Sequence, residues 1–266
     1  MSGSHEVLAV IGVRGGSRGL PDKNVLPLAE HPLLAWIVSA ARRSDRVTRV
    51  LVSTDREDYA ALAREYGAET PFLRPAALAT DTATDVEYVR HALDHLEEVE
   101  GYVPDVVLRL LATVPTQTPE DLDAAVDVLL VDPGASSAVV VAPSRQHPEK
   151  AMRIVVQDGR ERLAPYLPDR TSVEPTARQG HEAAYVRANV VATTPQVVRS
   201  TGTLTGDAVA CHVVDADRIV DIDSALDLAL AELIVRGDPR RFPPPERALP
   251  SAGARAAHRD DGEGPA

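Results

Sequence analysis

Six residues, Val7 to Gly12, form a short apolar run that leads straight into a loop carrying Gly15, Gly16 and Gly19. A strand with no polar face must be covered on both sides, which is the condition of a parallel sheet sandwiched between helices. The next segment agrees. Pro32 opens a stretch in which Leu33, Leu34, Ile37, Val38 and Ala41 share one face at helical spacing, with Arg42 and Arg43 in the last turn, where cations suit the helix dipole. Strand, glycine loop and helix thus form one unit. The alternation continues: strand over 47–53, helix over 56–66 closed by Gly67, helix over 85–99, strand over 105–111, helix over 119–131, strand over 138–141. In the 119–131 helix Thr118 is the expected N-cap, Pro119 the first position, and Glu120 and Asp121 complete an acidic first turn. Such alternation predicts a doubly wound α/β fold, with a mostly parallel sheet and helices on both faces. Ligands bind such sheets outside the carboxyl ends of the strands.

From about Ser144 to Glu182 the periodicity lapses. This reads as an excursion holding a hairpin-like piece around Ala151 to Leu163 and offering an oligomer contact. Regular pattern returns with strands over 183–193 and 212–223 and a helix over 225–236. The domain is expected to span residues 1–237. The tail, 238–266, holds six prolines in 29 residues with no apolar period and is expected to be disordered.

Composition narrows the function. With 3% aromatic residues in a chain that is 44% hydrophobic, the core must be built from Val, Leu, Ile and Ala, Trp36 being expected within it. A net charge of −12 opposes nucleic acid and anionic membrane surfaces. A single cysteine, Cys211, allows no internal disulfide and no cysteine-based zinc site, and is expected to be a small buried residue. No apolar stretch approaches the roughly 20 residues of a membrane helix, and the first residues lack the cationic start of a signal peptide. The chain reads as cytoplasmic.

Against this acidic background Arg14, Arg18 and Lys23 gather around Gly15, Gly16 and Ser17 at the carboxyl end of the first strand. Glycines allow close approach and let backbone N–H groups converge on an anion, so a polyphosphate is the natural guest. The dinucleotide fingerprint and the Walker A sequence are both missing, which disfavours a nicotinamide dehydrogenase. Taken alone, the loop serves equally as a solvated connection with incidental cations.

Four segments decide in favour of chemistry. They are Arg14 to Asn24, Val52-Ser53-Thr54-Asp55, Phe72-Leu73-Arg74-Pro75 continuing to Thr84, and Val220-Asp221-Ile222-Asp223-Ser224 with the helix that follows. In order and spacing they resemble the cytidylyltransferases of the CMP-sialic acid synthetase type (acylneuraminate cytidylyltransferase-like), a family with phosphonate-pathway relatives. The resemblance covers roughly Val7 to Arg236. It implies a Rossmann-like nucleotidyltransferase fold, a homodimer, and transfer of CMP from CTP with release of pyrophosphate. It implies that Arg14 and Lys23 hold the triphosphate and stabilise charge at the α-phosphorus, that Asn24 meets the cytosine, and that Gly15, Gly16, Ser17, Arg18, Arg74 and Asp85 complete the nucleotide site. Asp221 and Asp223 would hold Mg²⁺.

The chemistry suits these residue types. Attack on an α-phosphorus builds charge on the non-bridging and leaving oxygens, so catalysis rests on positioned cations and metal. Two aspartates two apart on a predicted strand project to one side, and Mg²⁺ needs only one or two carboxylates beside phosphate and water. Blander local roles exist: Asp223 as N-cap of the following helix, Asp221 as a solvated carboxylate, Arg74 as a surface cation, Asp81 in an Asx-turn, Ser53 and Asp55 as loop and cap residues.

The chain departs from the family pattern in three places, one of them the family's Asn-Gly-containing strand, which is altered here to Tyr185-Val186-Arg187-Ala188-Asn189-Val190. Where the family has Leu-Leu-Gln-Pro-Thr-Ser-Pro-Leu-Arg, this chain runs Arg109-Leu110-Leu111-Ala112-Thr113-Val114-Pro115-Thr116-Gln117, replacing Gln and Pro by Leu111 and Ala112; Asp85 stands where Ser is common. An apolar side chain cannot replace a hydrogen-bonding amide, so acceptor specificity should change. His147-Pro148-Glu149-Lys150 matches a segment whose lysine helps bind the acceptor's carboxylate, and Arg187 would supply a second cation; His147 is expected to end a strand. The expected acceptor is a small acid, either a nonulosonic acid or a phosphonate such as phosphonoformate. A carboxylate or phosphonate oxygen is already ionised, whereas a sugar hydroxyl would need a base that the sequence does not display. The alternative reading is a catalytically weak, nucleotide-binding regulatory or scaffolding homologue.

Overall fold

The structure, a computed structural model, describes residues 5–16, 19–167 and 182–248. Its centre is a six-stranded sheet in the order β10-β6-β9-β5-β1-β4. β1 (Val7–Gly12) is buried along its length because β4 (Arg49–Ser53) and β5 (Val106–Leu111) flank it in parallel. β6 (Ser137–Pro143) and β10 (Val209–Val213) run parallel to each other, and β9 (Tyr185–Thr193) is wedged antiparallel between β5 and β6. Two small ribbons lie outside this sheet: β2 (Pro27–Leu28) with β3 (His31–Pro32), and β7 (Met152–Gln157) with β8 (Arg160–Pro165). The turn of the second ribbon, Asp158-Gly159, has φ of 52° and 71°, the left-handed pair a two-residue hairpin requires.

Helices cover both faces as the alternation requires. α1 (Leu33–Arg43), α2 (Glu57–Glu65) and α4 (Pro119–Val131) bury apolar residues against one face, while α3 (Asp85–Glu100) and the short α5 (Pro195–Thr201) bury theirs against the other. The last helix, α6 (Ala225–Gly237), packs with Trp36 of α1 and with Leu28. α4 begins at Pro119 behind Thr118, as the sequence indicates, and Asp121 reciprocates in a capping box. Among the described residues no helix is long and apolar enough to cross a membrane.

The structure corrects four expectations. The strand placed over 212–223 is instead β10 over 209–213, followed by a single 3-10 turn at Ala216–Arg218 and an extended segment outside the sheet. The cause is Arg218, which plunges inward to pair with Asp121 of α4 and draws the chain off the sheet. Cys211 is exposed, because β10 is an edge strand with one uncovered face. Residues 238–248, expected to be disordered, are packed: Phe242 is buried beside α6, and Ala248 N–H donates to Glu65 O. The remainder of the expected tail lies outside the described residues. His147 does not end a strand; it caps the 3-10 turn Pro148–Lys150, accepting the Glu149 N–H.

Candidate active site

A cleft of about 190 Å³ opens at the carboxyl ends of β1 and β5, where a doubly wound sheet binds its ligands. Arg14, Lys23 and Asn24 of the glycine loop, Arg74 from the strap after β4 and Asp85 from the start of α3 all line it. Its other walls are apolar or small, with Leu78, Leu111 and Ala112 among them.

The glycine loop is held from behind. Gly15 N–H donates to Asp55 Oδ1 at 2.9 Å, so the aspartate at the end of β4 takes the place of an anion there, and Gly16 adopts φ of +72°. Neither Gly15 nor Gly16 lines the cleft, and Ser17 and Arg18 lie outside the described residues. Asn24 is buried and fastens the loop to its start by donating to Arg14 O at 3.0 Å. Two of the three cleft cations lean on carboxylates: Arg14 Nη1 lies 2.8 Å from Asp81 Oδ1, and Lys23 Nζ lies 2.9 Å from Asp223 Oδ1. These pairs are partly or largely exposed on the acidic side, so each is worth at most about 1 kcal/mol and yields readily to a more highly charged anion.

Arg74 is no surface cation. It is 5% exposed, with Nε donating to Ser53 Oγ at 3.0 Å, Nη2 to Ser53 O, and its guanidinium 4.4 Å from the centre of the Tyr88 ring. Burial pushes its pKa down, yet hydrogen bonds and the aromatic face compensate the charge. Tyr88, one turn into α3, forms the floor. It is fully enclosed, which raises its phenol pKa, and it presses on β1 so closely that a Cβ at Gly12 would sit 2.5 Å from Tyr88 Cζ. Gly12→Ala should therefore cost ~1–3 kcal/mol, since an enclosed ring cannot swing away, and denaturant unfolding would reveal it.

The same face of α3 carries His91 and His95, against which Phe72 packs edge-on at 4.5 and 4.8 Å between ring centres. This contact holds the strap that delivers Arg74. Burial, then the neighbouring His95 and Arg74, lowers the His91 pKa. A base whose folded pKa is depressed leaves the unfolded chain binding more protons, so stability falls as pH drops below the unfolded value of about 6.5. The thermal midpoint should decline with acidification through that range, and His91→Gln should flatten the decline.

Asp221 and Asp223 stand at the rim. The chain carrying them is tied to the loop after β5 by Ile222 N–H donating to Thr113 O at 2.9 Å. Asp223 does not cap α6, a task performed by Ser224 with Asp227, and so its carboxylate is left to face Lys23. Asp221 accepts a 2.7 Å hydrogen bond from Asn189 Nδ2. Shielding by surrounding protein raises the Asp221 pKa, as does the nearby Asp223 charge, while hydrogen bonds from Thr113 and Asn189 oppose the rise. Two hard carboxylates beside an anion cleft match what Mg²⁺ asks of a protein when phosphate oxygens supply other ligands. Among the described residues no cluster of three or more His, Cys, Asp or Glu forms a self-contained metal cage.

The two residues expected to bind the acceptor are not brought in either. Lys150 and Arg187 are both exposed and neither lines the cleft. Conversely Tyr88, Thr113, Arg109 and Asn189 belong to the neighbourhood without having been singled out. Tyr88 could have been found from its place one helical turn after Asp85.

The model of the cytidylyltransferase family matches residues 8–224. An N-acylneuraminate cytidylyltransferase from Escherichia coli is 43% identical over 97 residues, which are 36% of this chain and 23% of that protein. A CMP-N,N'-diacetyllegionaminic acid synthase from Legionella pneumophila is 39% identical over 137 residues, covering 52% of this chain and 58% of its own. The aligned part thus spans less than two thirds of either relative. A solved CMP:2-keto-3-deoxy-manno-octonic acid synthetase superposes with a TM-score of 0.65 at 15% identity, covering 88% of this chain and 99% of that one, a likeness of fold.

Proposed function

Because the chain belongs to the cytidylyltransferase family, we propose that it transfers CMP from CTP to a small acidic acceptor, with a nonulosonic acid as the first choice. The observation that carries this reading is the convergence of Arg14, Lys23, Asn24 and Arg74 on one cleft with Asp221 and Asp223 at its rim. An acceptor oxygen attacks the α-phosphorus in line, a new P–O bond forms, the bond to the bridging α,β-oxygen breaks, and pyrophosphate leaves with the electron pair; the hydroxyl of a nonulosonic acid passes its proton to solvent in this step, whereas a phosphonate oxygen has none to give. Arg14 and Lys23, released from Asp81 and Asp223, bear on the charge that grows in that step. Asn24 sits where a base could be read. Mg²⁺, held by Asp221 and Asp223, would polarise the triphosphate.

The acceptors of the two relatives, an N-acylneuraminate and an N,N'-diacetyllegionaminic acid, support a nonulosonic acid. Leu111 and Ala112 give part of the cleft an apolar wall, which favours an acceptor that places no hydroxyl there. The excursion exposes Ile154, Val156, Leu163 and Tyr166, and the start of β9 exposes Tyr185 and Val186, an apolar set suited to pairing two copies in a homodimer.

The test is pyrophosphate release from CTP and Mg²⁺ with a panel of nonulosonic acids, 3-deoxy-octulosonic acid and phosphonoformate. Release with a nonulosonic acid supports the reading; release with phosphonoformate alone moves the acceptor to the phosphonates. No release with any of them, despite CTP binding, would favour the scaffolding alternative.

A further inference from the structure

β9 carries an irregularity directly beside the acidic rim. Between Val139 and Val141, β6 advances two residues, while β9 advances four, from Val191 to Arg187. Residues 188–190 fall outside the registers with both neighbours, and Asn189 within them has φ of +61°. A bulge of this kind re-aims a side chain at the expense of ladder hydrogen bonds, and the carbonyls it strands need other donors.

Two buried side chains supply them. Gln117, 3% exposed, donates from Nε2 to Ala188 O. Arg109, 4% exposed in the middle of the sheet on β5, donates from Nη1 to Asn189 O at 3.2 Å. A guanidinium buried in a sheet is costly unless its charge is met, and here Asp85 of the cleft stands 3.5 Å from Arg109 Nε. With its backbone so held, Asn189 turns its amide to Asp221, 2.7 Å from Nδ2 to Oδ2. A continuous chain of contacts therefore links the cleft wall to the rim, from Asp85 through Arg109 and Asn189 to Asp221.

We propose that Arg109 and Gln117 are positioning residues, which clamp the β9 bulge so that Asn189 orients the Asp221 carboxylate for the metal-bound triphosphate. The inference rests on the cytidylyltransferase reading. It gives a purpose to a charged residue in a sheet interior that folding alone would fill with an aliphatic one. It also gives Asp85, a departure from the family pattern, an ion-pair partner in Arg109.

Binding of Mn²⁺ in the presence of CTP, followed by electron paramagnetic resonance on the whole protein, tests the clamp without turnover. Arg109→Met should weaken Mn²⁺ binding roughly tenfold or more, the usual cost of losing an outer-sphere partner. Asn189→Gly is the companion variant. Glycine accepts the left-handed backbone without strain, so the bulge persists and only the amide is lost; the same weakening is expected. Arg109→Lys, which keeps a donor, should recover part of it. If folded Asn189→Gly binds Mn²⁺ with CTP as tightly as the unaltered protein, the clamp is wrong. If the unaltered protein itself binds no Mn²⁺ with CTP, the fault lies in the functional reading, and the clamp falls with it.

Discussion

Replacing Lys23 with methionine should lower the rate of CMP transfer by about 10²–10³, the range found when one preorganised group facing developing charge is removed. The ammonium is 15% exposed at the cleft, and its partner in the structure is the 79% exposed Asp223. That asymmetry decides where the effect appears. The Lys23–Asp223 pair adds less than about 1 kcal/mol to stability, because an open carboxylate is well solvated without it. The same ammonium in the transition state would face phosphate oxygens inside a partly desolvated cleft, where its attraction is far stronger. Steady-state pyrophosphate release should therefore show the loss in kcat more than in KM for CTP, with the denaturant midpoint close to that of the unaltered protein. Lys23→Arg should restore activity only in part, since a planar fork does not occupy the place of a compact point charge. A Lys23→Met enzyme that retains its full kcat would remove Lys23 from the reaction.

The route from sequence to this site was open wherever the information was local. The buried run of β1, the loop beyond it and the ends of α4 are written in neighbouring residues, so Arg14, Lys23 and Asn24 could be placed at the carboxyl edge before any coordinate was known. Arg74 was visible as part of a motif, but its burial under Tyr88 was not, because a lone arginine in a polar loop looks solvated. Longer-range features were closed to such reading. Nothing in Tyr185–Thr193 announces an antiparallel strand lodged between β5 and β6, and the bulge at Asn189 exists only because two neighbouring strands impose different registers on it. The packed segment 238–248 misled for another reason: its prolines speak of disorder, and one aromatic, Phe242, is enough to anchor it to α6. α5 was overlooked although Thr194 and Pro195 are sound start signals, because seven residues carry too little period to register.

A second long-range contact controls the rim. Arg218 and Asp121 are 8% and 5% exposed and joined by two hydrogen bonds of 2.6 and 2.5 Å, and Arg218 Nη1 also reaches Thr116 O at 3.5 Å. Arg218→Met should destabilise the protein by ~3–5 kcal/mol, because it leaves a buried carboxylate without its counter-charge. The loss should be seen as a lowered urea midpoint with little change in slope. Pairing it with Asp121→Leu should recover much of the stability, since an apolar pair of similar volume avoids the desolvation penalty, short of the ~1 kcal/mol that Asp121 contributes in capping α4. Activity should not recover with it. The extended chain from Ile219 to Asp223 leaves the sheet at Arg218, and it is this anchorage that brings Val220 N–H to Thr116 Oγ1 and Ile222 N–H to Thr113 O. An apolar substitute can fill the volume but cannot hold Thr116 O or fix the direction of the extended segment that carries Asp221 and Asp223. A double variant regaining both stability and full kcat would show that packing alone sets the rim, and that the buried ion pair has no part in aiming it.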